Sequence, residues 1–135
     1  MSLLADPMLR LLALLLLALA SCAPAAAATV TGTATYRERI ALPPDARFEA
    51  VILDTARADA PGRVLARTVV DHPGQPPIAF SLSADHGKID PRARYALRAT
   101  ITVDGKLWFT TDRIYPVTPR DGFHADVLLR RVGRP

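Results

Sequence analysis

The chain is 135 residues long, with 17 Lys and Arg against 13 Asp and Glu and a formal net charge of +4, a length that allows one ordinary domain and excludes two. Its bases alternate with acids, and no basic run is interleaved with aromatic residues, which argues against a nucleic-acid partner. A single cysteine excludes an internal disulfide.

The first 28 residues are dominated by Leu and Ala. Arg10 precedes the apolar run Leu11 to Leu19 and then small residues, the order of a secretory signal peptide. The run falls short of the ~20 apolar residues that a membrane-spanning helix needs. At its end Leu19-Ala20-Ser21-Cys22 resembles the bacterial lipobox. Small side chains before the cysteine let a dedicated peptidase approach, and the Cys22 thiol is the nucleophile that takes a diacylglyceryl group as a thioether; a third chain such as palmitate commonly follows on the freed amine. The expectation is cleavage before Cys22 and attachment to a membrane by the lipid on Cys22. Cleavage within Ala25 to Ala28 to give a soluble periplasmic protein, or retention of an uncleaved anchor, are the competing readings. Met1 to Pro7 contains an acid and a proline but no base, which favours translation from Met8. Ala23 follows the cysteine where Asp acts as an inner-membrane retention signal in enteric bacteria, so the expected location is the inner leaflet of the outer membrane, facing the periplasm. The expected divisions are a signal peptide over 1–21, an Ala-rich lipidated tether over 22–28 and a folded domain over 29–135.

From Thr29 the pattern turns to period two. Thr29 to Tyr36 sets Thr on one face against Val30, Gly32, Ala34 and Tyr36, and Leu42-Pro43-Pro44-Asp45 breaks it. Phe48 to Leu53 is apolar on both faces apart from Glu49, as in a central strand. Asp59-Ala60-Pro61-Gly62 is a turn before a strand over Val64 to Val70. Asp71 to Pro77 is a loop before Ile78 to Ser83, with Ile78, Phe80 and Leu82 facing inward. Asp90 to Arg94 suits one helical turn. Tyr95 to Val103 is the strongest strand, and Phe123 to Arg130 closes the chain with Ala125, Val127 and Leu129 inward. Seven to eight short strands with turns between them, after a cleaved signal peptide, indicate an all-β fold, a small antiparallel β-sandwich.

One hairpin leaves its register open. Asp104-Gly105 is a favoured pair for a two-residue type I′ turn, and that turn sets Trp108 beside Ile101 with Leu107 and Phe109 on the threonine face. Pairing Phe109 with Ile101 requires an extra loop residue or a bulge. In either case Trp108, or the pair Leu107 and Phe109, is less buried than its composition suggests, which makes these three residues a candidate partner surface.

Catalytic and metal chemistry find little support. His72, His86 and His124 lack partners at metal-ligand spacing. Asp85-His86-Gly87-Lys88 lacks the glycine-rich lead and Ser/Thr of a phosphate loop. Ser81 and Ser83 lie in no nucleophile elbow. The expectation is a monomer with no metal, no cofactor and no enzymatic activity.

Several stretches together resemble the YbaY/YscW lipoprotein family, which includes the YscW-type pilotins of type III secretion: Val30-Thr31-Gly32-Thr33-Ala34-Thr35-Tyr36, Leu42-Pro43-Pro44, Leu53-Asp54 with Ala58-Asp59, Gly74-Gln75-Pro76-Pro77-Ile78-Ala79-Phe80, Ile89-Asp90-Pro91, Tyr95-Ala96-Leu97-Arg98-Ala99, and Gly105-Lys106-Leu107-Trp108-Phe109-Thr110-Thr111-Asp112. The resemblance implies a periplasm-facing β-sandwich lipoprotein. It also implies a chaperone or protein-binding role, since pilotins bind the carboxy-terminal segment of a secretin and escort it to the outer membrane. The alternatives are a structural or stress-related envelope lipoprotein without a specific client, and a small-ligand carrier.

Overall fold

A computed structural model describes residues 26–56 and 62–133. The elements in chain order are β1 (Ala27–Tyr36), β2 (Ala46–Asp54), β3 (Arg63–Asp71), β4 (Ile78–Asp85), β5 (Tyr95–Val103), β6 (Lys106–Thr111), β7 (Tyr115–Val117), β8 (Phe123–His124) and β9 (Val127–Arg131). The expected helical turn at Asp90 to Arg94 is a non-helical turn. One turn of 3-10 helix forms instead at His86–Lys88, where the Asp85 carboxylate accepts from the Gly87 N–H at 3.0 Å. Cys22, the signal region, most of the tether and the Asp59-Ala60-Pro61 turn lie outside the described residues. β1 begins at Ala27, so the last two residues read as tether are already paired, opposite Asp85 and Ala84.

The strands hydrogen-bond in the order β3-β2-β5-β6-β9-β1-β4. β7 continues the line of β6 along β5, and β8 precedes β9 along β1, so nine strands occupy seven positions. β6 and β9 pair from Phe109 to Thr111; beyond that point β7 stays with β5 and β8 stays with β1. The sheet therefore splits into two leaves that face each other, with the terminal strands β3 and β4 lying alongside one another. This is the expected β-sandwich, with one difference: β1 runs parallel to β8 and β9.

Strand periodicity explains the core. β4 alternates strictly, burying Ile78, Phe80, Leu82 and Ala84, and β5 buries Tyr95, Leu97, Ala99, Ile101 and Val103 on one face. Phe48 of β2 meets Phe80 of β4 across the interior, ring centres 5.6 Å apart, an inter-leaf aromatic contact. β2 is central, between β3 and β5, and its outward Val51 is buried between its cross-strand partners Arg67 and Arg98. Gly32 sits where the chain between β8 and β9 crosses β1. A Cβ there would collide with the Ala125 carbonyl oxygen and stand 2.7 Å from the Phe80 ring.

Candidate partner-binding groove

The β5–β6 hairpin resolves its two registers by using both. Asp104 and Gly105 adopt φ 51° and 73°, the positive values of a type I′ turn, and Val103 pairs with Lys106 and Thr102 with Leu107. The register then shifts, so that Phe109 pairs with Ile101 and Trp108 is the extra residue. Phe109 is fully buried, and its place in the expected partner surface is corrected accordingly: the bulge turns it into the core, where it stacks on Tyr36 at 4.2 Å and 14°. Leu107 is exposed on the hairpin (38%). Trp108 is half-buried against the core edge.

The bulge places Trp108 on one wall of an open groove of about 620 Å³, completed by Glu38, Arg39, Ile40, Ala41 and Arg131. Leu107 lies outside it. Three sets of hydrogen bonds set its shape. The Tyr36 hydroxyl donates to the Ile40 carbonyl at 2.6 Å, tying the chain after β1 back to the Tyr36 side chain. Leu42 donates to Gln75 Oε1 at 2.9 Å and accepts from Gln75 Nε2 at 3.1 Å, so one amide side chain fixes the far end of that segment. On the opposite wall the Val132 N–H donates to the Trp108 carbonyl at 2.8 Å. Ile40, between the Tyr36 and Gln75 pins, is 42% exposed.

The electrostatics follow from this geometry. Burial and the neighbouring Glu38 both push the Tyr36 phenol above its ordinary value, so it stays a proton donor to Ile40 at physiological pH. The Arg131 guanidinium lies over the Trp108 ring, 4.3 Å from its centre, and 5.5 Å from the centre of Phe109, a cation–π arrangement. Tyr36, Ile40, Gln75 and Arg131 escape a sequence reading. Ile40, an isolated apolar residue between charges and prolines, carries the one local signal among them.

A polar chain on the outside of β1 invites comparison with a nucleophilic triad: Thr31 Oγ1 lies 3.3 Å from His124 Nδ1, and His124 Nε2 lies 2.9 Å from Asp126 Oδ1. The same Asp126 oxygen also accepts from the Thr33 hydroxyl at 2.7 Å and the Thr33 N–H at 3.1 Å. All four side chains sit on the surface or near it, and Asp126 lies at the break between β8 and β9, where it ties that break to β1. The arrangement is a clasp. His72 and His86 lie elsewhere in exposed turns.

The domain is thus a curled all-β fold with an apolar groove built by loop and hairpin. Residues 25–129 match the family described as the type III secretion system lipoprotein chaperone YscW, and the chain belongs to this YbaY/YscW lipoprotein family. It is 43% identical over 99 residues to the uncharacterized lipoprotein YbaY of Escherichia coli strain K12, a stretch covering 73% of this chain and 52% of that one. The chain thus spans about half the length of that curated relative. Its fold is similar to that of an alternative pilotin from the type II secretion system of Vibrio cholerae, with a TM-score of 0.74, 38% identity and coverage of 81% of this chain and 100% of that one.

Proposed function

We propose that this chain is a pilotin-like chaperone, a monomer anchored by lipid on Cys22 to the inner leaflet of the outer membrane, which takes an apolar segment of an envelope protein such as a secretin into the Trp108 groove. The observation that carries the reading is the apolar pair Ile40 and Trp108, one on each wall of the groove, with both segments pinned by hydrogen bonds. An apolar groove between a loop and strand ends suits an amphipathic segment. Position supports it. The groove opens directly after Tyr36, at the far end of a ten-residue β1, about 30 Å along the strand from its start at a rise of ~3.3 Å per residue. Cys22 precedes that start by five positions, so an anchor there holds the groove away from the bilayer and toward the periplasm. The family description and the pilotin relative support the chaperone class rather than catalysis.

The test is outer-membrane delivery of secretin multimers in cells lacking the native gene and supplied with variants. Cys22→Ser is expected to leave multimers in the inner membrane, and the Ile40→Asp/Trp108→Ala double variant to do so while still anchored. Normal delivery by the double variant contradicts the groove reading; normal delivery by Cys22→Ser contradicts the anchor.

A further inference from the structure

Arg131 is the odd residue of the groove. Its Nη1 is buried and has no hydrogen-bond partner among the described residues. The ion pairs among those residues are Arg47 with Asp71, Arg67 with Glu49 and His124 with Asp126; none engages Arg131. Its guanidinium is held instead by ring faces, Trp108 on the groove side and Phe109 behind. Buried donors are almost always paired in native proteins, and the planar guanidinium fork is shaped for a carboxylate.

We infer that the occupant of this groove is a partner segment with an apolar face and an acidic side chain, Asp or Glu, that pairs with Arg131. The inference rests on the groove reading above and adds the chemistry of what binds there. Ring contacts hold the arginine in place in the free protein without satisfying it. An entering carboxylate supplies the missing acceptor as the guanidinium slides along the indole toward the groove. The charges around it agree. On the opposite wall the adjacent Glu38 and Arg39 offset one another, which leaves Arg131 at the Trp108 wall as the groove's net cation.

Trp108 is the sole tryptophan, so its fluorescence reports on this contact directly. The probes are two amphipathic peptides of about fourteen residues, acetylated and amidated, with Leu at helical spacing; they differ only in Glu or Gln at the positions flanking the apolar face. The Glu peptide is expected to bind about fivefold or more tightly than the Gln peptide and to shift Trp108 emission. Arg131→Gln, shown to be folded by its denaturation midpoint, is expected to bind both peptides equally, and Arg131→Lys to keep a reduced preference. Equal binding of the two peptides to the unaltered protein, or a preference that survives in Arg131→Gln, overturns the carboxylate assignment and leaves the groove standing. Binding of neither peptide overturns the groove and this inference with it.

Discussion

The Tyr36 hydroxyl donates to the Ile40 carbonyl at 2.6 Å while the Tyr36 ring stacks on Phe109 at 4.2 Å. One side chain thus ties the groove's loop to the core. Tyr36→Phe keeps the stack and removes the bond. The expected loss is about 1 kcal/mol, seen as a fall of about 4 °C in Tm, with faster amide exchange confined to residues 37–42. Unchanged exchange there would show that Gln75 alone holds the loop.

Gly32→Ala is expected to be among the most damaging small substitutions in the domain. The added methyl meets the Ala125 carbonyl, which is backbone, and the Phe80 ring at 2.7 Å. Overpacking of this kind costs about 3 kcal/mol or more when the backbone has to move. Urea denaturation of Gly32→Ala beside Ala34→Gly measures it. A cost below about 1 kcal/mol would mean that the β8–β9 crossing shifts easily.

The clasp at Asp126 predicts an acid-sensitive limb. Bonds from the Thr33 hydroxyl, with smaller contributions from His124 and the Thr33 N–H, hold the Asp126 carboxyl below its ordinary value of 3.8. A depressed folded-state pKa contributes stability that is present above the unfolded value and is lost as pH falls through the folded one. Asp126→Asn is therefore expected to be less stable than the unaltered chain at pH 7, with the gap closing below the ordinary value. A gap independent of pH would assign the effect to geometry alone.

The opposite sign holds at the hairpin. Asp104 is raised above 3.8, first by a hydrogen bond with Asp45 and then by that neighbour's charge. Its contribution is present below the unfolded value and is lost as pH rises through the folded one, so the ionised pair is unfavourable at neutral pH. Asp104→Asn removes the repulsion, and Asn suits the positive φ that the turn requires. It is expected to raise Tm at pH 7, a gain that disappears at acid pH. A lower Tm at pH 7 would contradict this account of the turn.

Strand faces were legible in the sequence wherever the period-two pattern was uninterrupted: β4 buries Ile78, Phe80 and Leu82 as their alternation indicates, and β5 has the expected ends. β7 was hidden by Pro116 and Pro119. It is tolerated because it is three residues long and pairs with β5 alone among the described strands. The hairpin register was undecided because turn preference and core alternation conflict there. Only the three-dimensional packing of Phe109 on Tyr36 chooses the bulge at Trp108. The groove's pins join residues far apart in the chain, Leu42 to Gln75 and Trp108 to Val132, and local pattern carries no trace of such pairs. Trp108 was legible as a surface candidate, but the partner loop that makes it a groove was not.

Binding of the partner in the Trp108 groove can be measured directly. A photo-cross-linking amino acid placed at Ile40 tests it in cells, with Val64, which is exposed at 47% on β3, as the control position. The account predicts an adduct with the secretin at position 40 and none at position 64. An adduct at 64 alone, or none at 40 while secretin delivery is intact, would contradict it.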